Sequence, residues 1–379
     1  MRILLEGWEL ARTKDLGGVQ SYWRQLVPAM LDQAAPDLQL VLLSAFLNPR
    51  WIPVYQSFRR RGAVLRHWWA DPRWIRVLGR RGFRAEWFAG PHDLVHAPEP
   101  TWCLPGSGRL VVTCHDLMFH HHPQFLAPEW TDRLMRGMER CRRGAPSRVC
   151  ASASPPGPPA PAHGVPPGRA PPAPPGRLAP PPAPRAPREG RTGAEPRDRR
   201  FLFLGSVEPK KNLGLLLRAF GLAAERGLRA GLDVAGRASW DSEAIRGAAE
   251  RDQSLADRVR FLGFVDDAEL PRRVADALAL VLPSRFEGFG MPVVEAMAAG
   301  TPVLCSDRGA LPEVAGGAAR LFDADDAEGL AELLLQVEQD PDLRAGLRQA
   351  GLRRAADFSW RRCAADTLAA YRRAAELPR

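Results

Sequence analysis

Residues 284–314 hold the side chains best placed to do chemistry. Two carboxylates, Glu287 and Glu295, flank a Gly288-Phe289-Gly290-Met291-Pro292 turn that opens a helix, and a strand, Pro302 to Cys305, follows. Glycines at 288 and 290 let the backbone come close to a ligand. Pro292 suits a helix start, where its missing N–H is no loss. Such a turn aims unpaired N–H groups and the positive end of a helix dipole outward, which suits a diphosphate. Glu295 lies one turn in, where its carboxylate can accept hydrogen bonds from sugar or ribose hydroxyls. Further upstream, a strand, Phe201 to Leu204, runs into Gly205 and Ser206, and Lys210 and Lys211 precede a helix. Cations near a helix N-terminus oppose its dipole. A bound anion therefore explains Lys211 better than a solvated helix end does, and an ammonium there can neutralise a diphosphate leaving group in place of a metal.

The histidines divide into two cases. His115 ends a strand, where open α/β sheets make their ligand contacts; a satisfied buried histidine is the other reading. Asp116 beside it reads as a cap for the next turn. His120, His121 and His122 are consecutive, so their side chains diverge and do not chelate one ion. No other ligand cluster is visible, and no metal site is expected. Gly17 and Gly18 precede a helix, where they would admit a phosphate or an acceptor, or form a plain tight turn.

Strand-like and helix-like pieces alternate on either side of an unusual segment. In residues 1–144, short apolar strands at Arg2–Leu5, Leu38–Ser44, Asp93–His96 and Leu110–Thr113 are interspersed with a helix over Val19–Asp32. Residues 201–379 repeat the style and close with helices at Ala324–Gln336, Pro341–Arg354 and Trp360–Glu376. Alternation of this kind predicts an α/β fold, parallel sheets with helices on both faces. At 379 residues and 45% hydrophobic the chain is long enough for two domains with real cores. It has no apolar run of membrane-spanning length. Its N-terminus reads as a strand rather than a signal peptide. Six cysteines without metal-type spacing read as reduced thiols of a cytoplasmic protein. The net charge of +10 is concentrated in residues 145–200, which argues against a general nucleic-acid binder.

That segment, residues 145–200, is rich in Pro, Ala, Arg and Gly. Proline supplies no backbone donor and fixes φ, so this stretch cannot build sheet or helix interior. The expectation is an extended or disordered linker between an N-terminal domain, 1–144, and a C-terminal one, 201–379.

The motifs together resemble the retaining glycosyltransferases of group 1 (family 4). The likeness is carried by Phe-Leu-Gly205-Ser-Val-Glu-Pro-Lys-Lys211-Asn-Leu and Glu287-Gly-Phe-Gly-Met-Pro-Val-Val-Glu295. It is weaker in Gly17-Gly18-Val, Asp93-Leu-Val-His96-Ala-Pro and Val112-Thr-Cys-His115-Asp116-Leu. The resemblance implies a GT-B fold, two Rossmann-like domains facing across a cleft, with acceptor in the first and nucleotide-sugar in the second. It implies that Glu295 holds the ribose and that Glu287 contacts the donor sugar or its phosphate side. Lys211, with Gly205 and Ser206, would hold the diphosphate, and His115 would sit near the transferred sugar. Phe289, Gly290, Met291 and Val293 would give backbone contacts to sugar and phosphate, with Phe289 and Met291 equally readable as core. Family members often have Arg where Ser206 stands. The implied reaction needs no cofactor or metal, since the nucleoside-diphosphate sugar is a substrate. It moves a sugar, mannose by family likeness, to a glycan or glycolipid hydroxyl with retention. The alternatives are a catalytically impaired homologue that only binds nucleotide-sugar and a GT-B sugar-nucleotide epimerase.

Two stretches stand apart from the family pattern. In residues 145–200 the material that normally closes the first domain is absent; a genuine linker and a reading-frame disturbance in a GC-rich gene both account for it. Residues 57–87 combine nine arginines with Trp68, Trp69, Trp74 and Trp87. Basic and aromatic residues together suit an anionic membrane surface or a lipid-linked acceptor. A solvated basic face over buried tryptophans is the other reading.

Overall fold

A computed structural model describes residues 1–7, 10, 18–47, 52–69, 71, 74, 77–78, 81, 83–102, 109–126, 128–144, 199–238 and 242–376, with backbone only for 140–144. These form two compact units, each built on one parallel sheet. The first unit orders its strands β3-β2-β1-β4-β5, with β1 Arg2–Glu6, β2 Gln39–Ala45, β3 Val64–Trp68, β4 Leu94–Ala97 and β5 Arg109–Val112. The second orders them β11-β10-β9-β6-β7-β8, with β6 Arg200–Leu204, β7 Gly231–Ala235, β8 Val259–Gly263, β9 Leu280–Leu282, β10 Val303–Ser306 and β11 Arg320–Phe322. The central strands are near-continuous buried apolar runs, as a parallel sheet covered on both faces requires. Ile3, Leu4 and Leu5 in β1 and Leu280, Val281 and Leu282 in β9 are almost fully buried.

The strand order reverses direction between β1 and β4, and again between β6 and β9. At such a switch point the loops leaving the two strands part to opposite faces and open a crevice outside the carboxyl ends. In the second unit those loops carry Lys211 after β6 and Glu287 after β9.

The closing helix Trp360–Glu376 does not belong where the sequence placed it. The boundary of 201–379 gives it to the C-terminal domain, whereas the chain from Ser359 onward clusters with the first unit. The helix buries Trp360, Cys363, Leu368 and Tyr371. Tyr371 Oη bonds His96 Nδ1 on β4, and His96 Nε2 lies 2.8 Å from Thr113 Oγ1. Tyr22, on the helix Gly18–Leu31, meets Cys363 Sγ at 3.9 Å. These are long-range partners that helical periodicity cannot reveal. The proline-rich segment lies outside the described residues except for its last two positions, and Arg200 already opens β6. β3 and β11 were not anticipated, because neither is an apolar run: β3 alternates half-buried and exposed residues, and β11 buries only Phe322.

Candidate functional site

Lys211 and Glu287 meet as an ion pair. Lys211 Nζ lies 2.6 Å from Glu287 Oε1, and the two side chains are only 13% and 11% exposed. The same Oε1 accepts a hydrogen bond from Ser284 Oγ at 2.6 Å. Burial alone would push the Glu287 carboxyl up. The charges of Lys211 and Lys210, with the bonds from Lys211 and Ser284, outweigh it and hold the group below the ordinary carboxylate range.

Local structure explains how two residues 76 positions apart come into register. A short 3-10 turn, Pro209–Lys211, ends at Asn212, which takes the left-handed conformation at φ 55° and ψ 34°. Asparagine tolerates that region better than most residues. Its buried Nδ2 donates to the carbonyls of Pro283 at 3.1 Å and Ala324 at 2.8 Å. The Arg285 N–H donates to the Lys210 carbonyl at 2.8 Å. Ser306 Oγ, at the end of β10, donates to the Ser284 carbonyl at 2.5 Å. Asn212, Ser284 and Ser306 thus clamp the loops that leave β6, β9 and β10. Asn212 stands in the Lys211-Asn-Leu run, but its two remote carbonyl acceptors left no sequence signal.

Two glycines fix the glutamate loop. Gly290, at φ +91°, caps the helix Met291–Ala299, and a side chain there would sit 2.5 Å from Leu311 Cδ2. Gly309, at φ +60°, lies under Glu287: a Cβ would come 2.6 Å from the Glu287 carbonyl oxygen. That carbonyl accepts the Ala310 N–H at 3.1 Å.

The other expected residues are placed as follows. Glu295 is half-buried on the Met291–Ala299 helix, and burial together with the Asp267 carboxylate pushes it up to about 7. Its charged neighbour is thus Asp267, from the loop after β8. Gly205 lies against the stem of Lys211, and half-buried Ser206 follows it. Phe289 meets Phe358 edge-on at 5.7 Å and joins the apolar core, which favours the core reading of its side chain. Met291 is half-buried. Val293 is fully buried, and its N–H is engaged with the Gly290 carbonyl at 2.9 Å. The backbone contact expected of Val293 is therefore already taken up inside the turn.

His115 lies in the first unit, just beyond β5. A ring N–H donates to the Pro98 carbonyl, and burial lowers its pKa to about 4 despite Asp116 and that bond. Its Nε2 is buried with no hydrogen-bond partner among the described residues, so the proton sits on Nδ1 and Nε2 presents a lone pair. Tyr22 flanks the ring at 5.3 Å, edge to face. Asp116 Oδ1 accepts the Met118 N–H at 3.1 Å, which matches the capping expectation. Gly18 opens the Gly18–Leu31 helix, and Gly17 lies outside the described residues. Among the described residues no group of three His, Cys, Asp or Glu is arranged to hold a metal. A cavity of about 380 Å³ lies elsewhere on the second unit, lined by Arg200, Asp233, Arg260 and Arg273 among others. None of the candidate residues borders it.

The model of the glycosyl transferases group 1 family matches residues 188–354, the span that contains both loops. That part of the chain resembles the family. O-antigen chain mannosyltransferase B of Escherichia coli is 38% identical over 172 residues, 45% of this chain and 45% of that protein. Phosphatidyl-myo-inositol mannosyltransferase of Mycolicibacterium smegmatis is 36% identical over 189 residues, 49% of this chain and 46% of that protein. In each alignment the chain covers about half the length of the curated relative. Sucrose-phosphate synthase from Thermosynechococcus elongatus has a similar fold, with a TM-score of 0.68 at 18% identity over 98% of both chains. The protein therefore has the GT-B fold, with one Rossmann-like sheet in each unit. No described helix is long and apolar enough to cross a membrane.

Proposed function

We propose that this protein is a retaining glycosyltransferase that moves a hexosyl group, mannose by analogy with its relatives' names, from a nucleoside-diphosphate sugar to a hydroxyl of a glycan or lipid-linked acceptor. The observation that carries the reading is the buried Lys211–Glu287 pair at the β6/β9 switch point. An ammonium has three donors. One is on Glu287, and the others face the place where diphosphate oxygens gain charge as the sugar leaves, the moment at which a preorganised cation is worth most. Glu287 is anionic but engaged by Lys211 and Ser284, which makes it a positioning group for Lys211 and the sugar rather than a nucleophile. Retention then comes from same-face attack assisted by the departing phosphate. Glu295 receives the ribose diol. His115, neutral with its Nε2 lone pair available, accepts a hydrogen bond from the transferred sugar.

This chemistry uses no metal and no cofactor. We place the enzyme in the cytoplasm, in keeping with the buried, unbridged thiols of Cys114, Cys305 and Cys363. A lipid-linked acceptor brings it to a membrane surface, and residues 57–87 are the stretch assigned to that contact. The test is a thermal-shift screen with UDP-, GDP-, ADP- and dTDP-sugars, followed by transfer assays with EDTA and anomer analysis of the product. One donor at about a hundredfold over its Kd should stabilise the protein by about 2.7 kcal/mol, and Lys211→Met should abolish that shift. No response to any donor, or full loss of transfer in EDTA, would refute the proposal.

A further inference from the structure

We propose that Tyr22 is a positioning residue for His115, a ring wall that fixes the plane of the imidazole and is itself braced by the closing helix Trp360–Glu376. Tyr22 lies on the helix Gly18–Leu31 and is 7% exposed. Its ring meets that of His115 at 5.3 Å with the planes 86° apart, the edge-to-face arrangement that aromatic quadrupoles prefer. The Pro98 carbonyl accepts one ring N–H of His115. A single hydrogen bond leaves an imidazole able to swing about it. A second contact, ring against ring, removes that freedom, and Tyr22 supplies it from a separate element.

Tyr22 is held in turn. Trp23 meets it at 5.4 Å and Trp360 at 5.5 Å, both edge-on, and its Oη lies 3.9 Å from Cys363 Sγ. Trp360 and Cys363 sit on the closing helix and are buried. That helix is tied to the first unit at two further points. Tyr371 Oη bonds His96 Nδ1 on β4, and Gln33 Nε2 donates to the Arg361 carbonyl at 2.9 Å. The brace thus runs from the closing helix through residue 22 to residue 115. The polar atoms around Tyr22 separate positioning from plain space-filling. His115 Nε2 and Trp360 Nε1 are buried with no hydrogen-bond partner among the described residues. A space opened beside such atoms admits water. Water at the imidazole both frees the ring and favours its charged form. The titratable groups facing His115 are Asp116 beside it, His96 on β4 and Tyr22 itself; the first two stay in place when Tyr22 is replaced. The inference deepens the reading above and rests on the role given there to His115.

The experiment compares the full-length wild type with Tyr22→Ala and Tyr22→Phe, by NMR titration of His115 and by transfer kinetics. In Tyr22→Ala the His115 midpoint should rise from about 4 toward the ordinary 6.5. Its kcat should fall by about a hundredfold, as for a displaced reacting group, with the donor KM and the donor thermal shift unchanged. Tyr22→Phe keeps the ring and should restore both the midpoint and kcat. Should Tyr22→Ala lose its fold by circular dichroism, Tyr22→Leu, which keeps apolar bulk without a ring, carries the same readings. A midpoint that stays near 4 without the ring, or a kcat at the wild-type level, overturns the proposal. So does Tyr22→Phe behaving like Tyr22→Ala, which would assign the effect to the hydroxyl. Titration requires no transfer. A wild type that moves no sugar refutes the proposed function, and the midpoints alone then decide whether Tyr22 holds the ring.

Discussion

Removing both members of the Lys211–Glu287 pair should do little more damage than removing either one alone. The two side chains are 13% and 11% exposed and 2.6 Å apart, so solvent screens their attraction only slightly. Exposed pairs contribute about 0.2–1 kcal/mol, whereas leaving one member of a buried pair uncompensated costs about 3–5 kcal/mol. Lys211→Met leaves the Glu287 carboxylate with Ser284 Oγ and the neighbouring Lys210. Glu287→Gln leaves the Lys211 ammonium with no buried anion. Each single substitution is therefore expected to lower stability by about 3 kcal/mol, and the double substitution by little more than either, giving a coupling of about 3 kcal/mol. The sign of the pH dependence follows from the depressed pKa of Glu287. The pair's contribution is complete above the ordinary carboxylate range and is lost as pH falls through the lowered folded value. The assay is urea unfolding by far-ultraviolet circular dichroism for the four proteins, at neutral pH and in acid. A coupling below about 1 kcal/mol at neutral pH, or one that persists unchanged once Glu287 is protonated, would refute the buried-pair argument.

Three further outcomes are expected. Glu295 has a folded pKa of about 7, raised from 4.5, so wild type should lose stability relative to Glu295→Gln as pH rises from 4.5 to 7. The gap reaches about 3 kcal/mol, and parallel Tm–pH curves for the two proteins would contradict it. His115 has a pKa lowered to about 4 by burial, so its imidazole signals should stay in the neutral form down to pH 5 in NMR; a midpoint near 6.5 would show an open, solvated ring. Gly309→Ala places a Cβ 2.6 Å from the Glu287 carbonyl at φ +60°, and should cost about 2 kcal/mol together with most of the nucleotide-sugar thermal shift. Retention of both would mean that the 287–310 contact is dispensable.

Most of the fold was legible because it rests on local signals. The apolar runs at Phe201–Leu204 and Leu110–Thr113 read as buried strands from their length and flanks, and the Gly290-Met-Pro helix start carries its own turn chemistry. β3 escaped because an edge strand faces solvent along one side and needs no apolar run. The closing helix was found in sequence and assigned to the wrong unit, since its amphipathic period states that it covers something, not what.

From the sequence alone came the residues of the candidate site: which carboxylates, which lysine, which glycines, and that they belong to two loops following strands. Their identities and short spacings follow from backbone conformation and helix-start chemistry, which act over a few residues. The tertiary structure decided what each residue became. The order of strands set β6 beside β9, and only that adjacency pairs Lys211 with Glu287 and depresses its pKa. The same packing put Asp267 near Glu295 and raised its pKa, engaged the Val293 N–H, and turned the tryptophans of residues 57–87 toward solvent. Charge coupling and desolvation depend on distance through space, and distance through space is what strand order supplies.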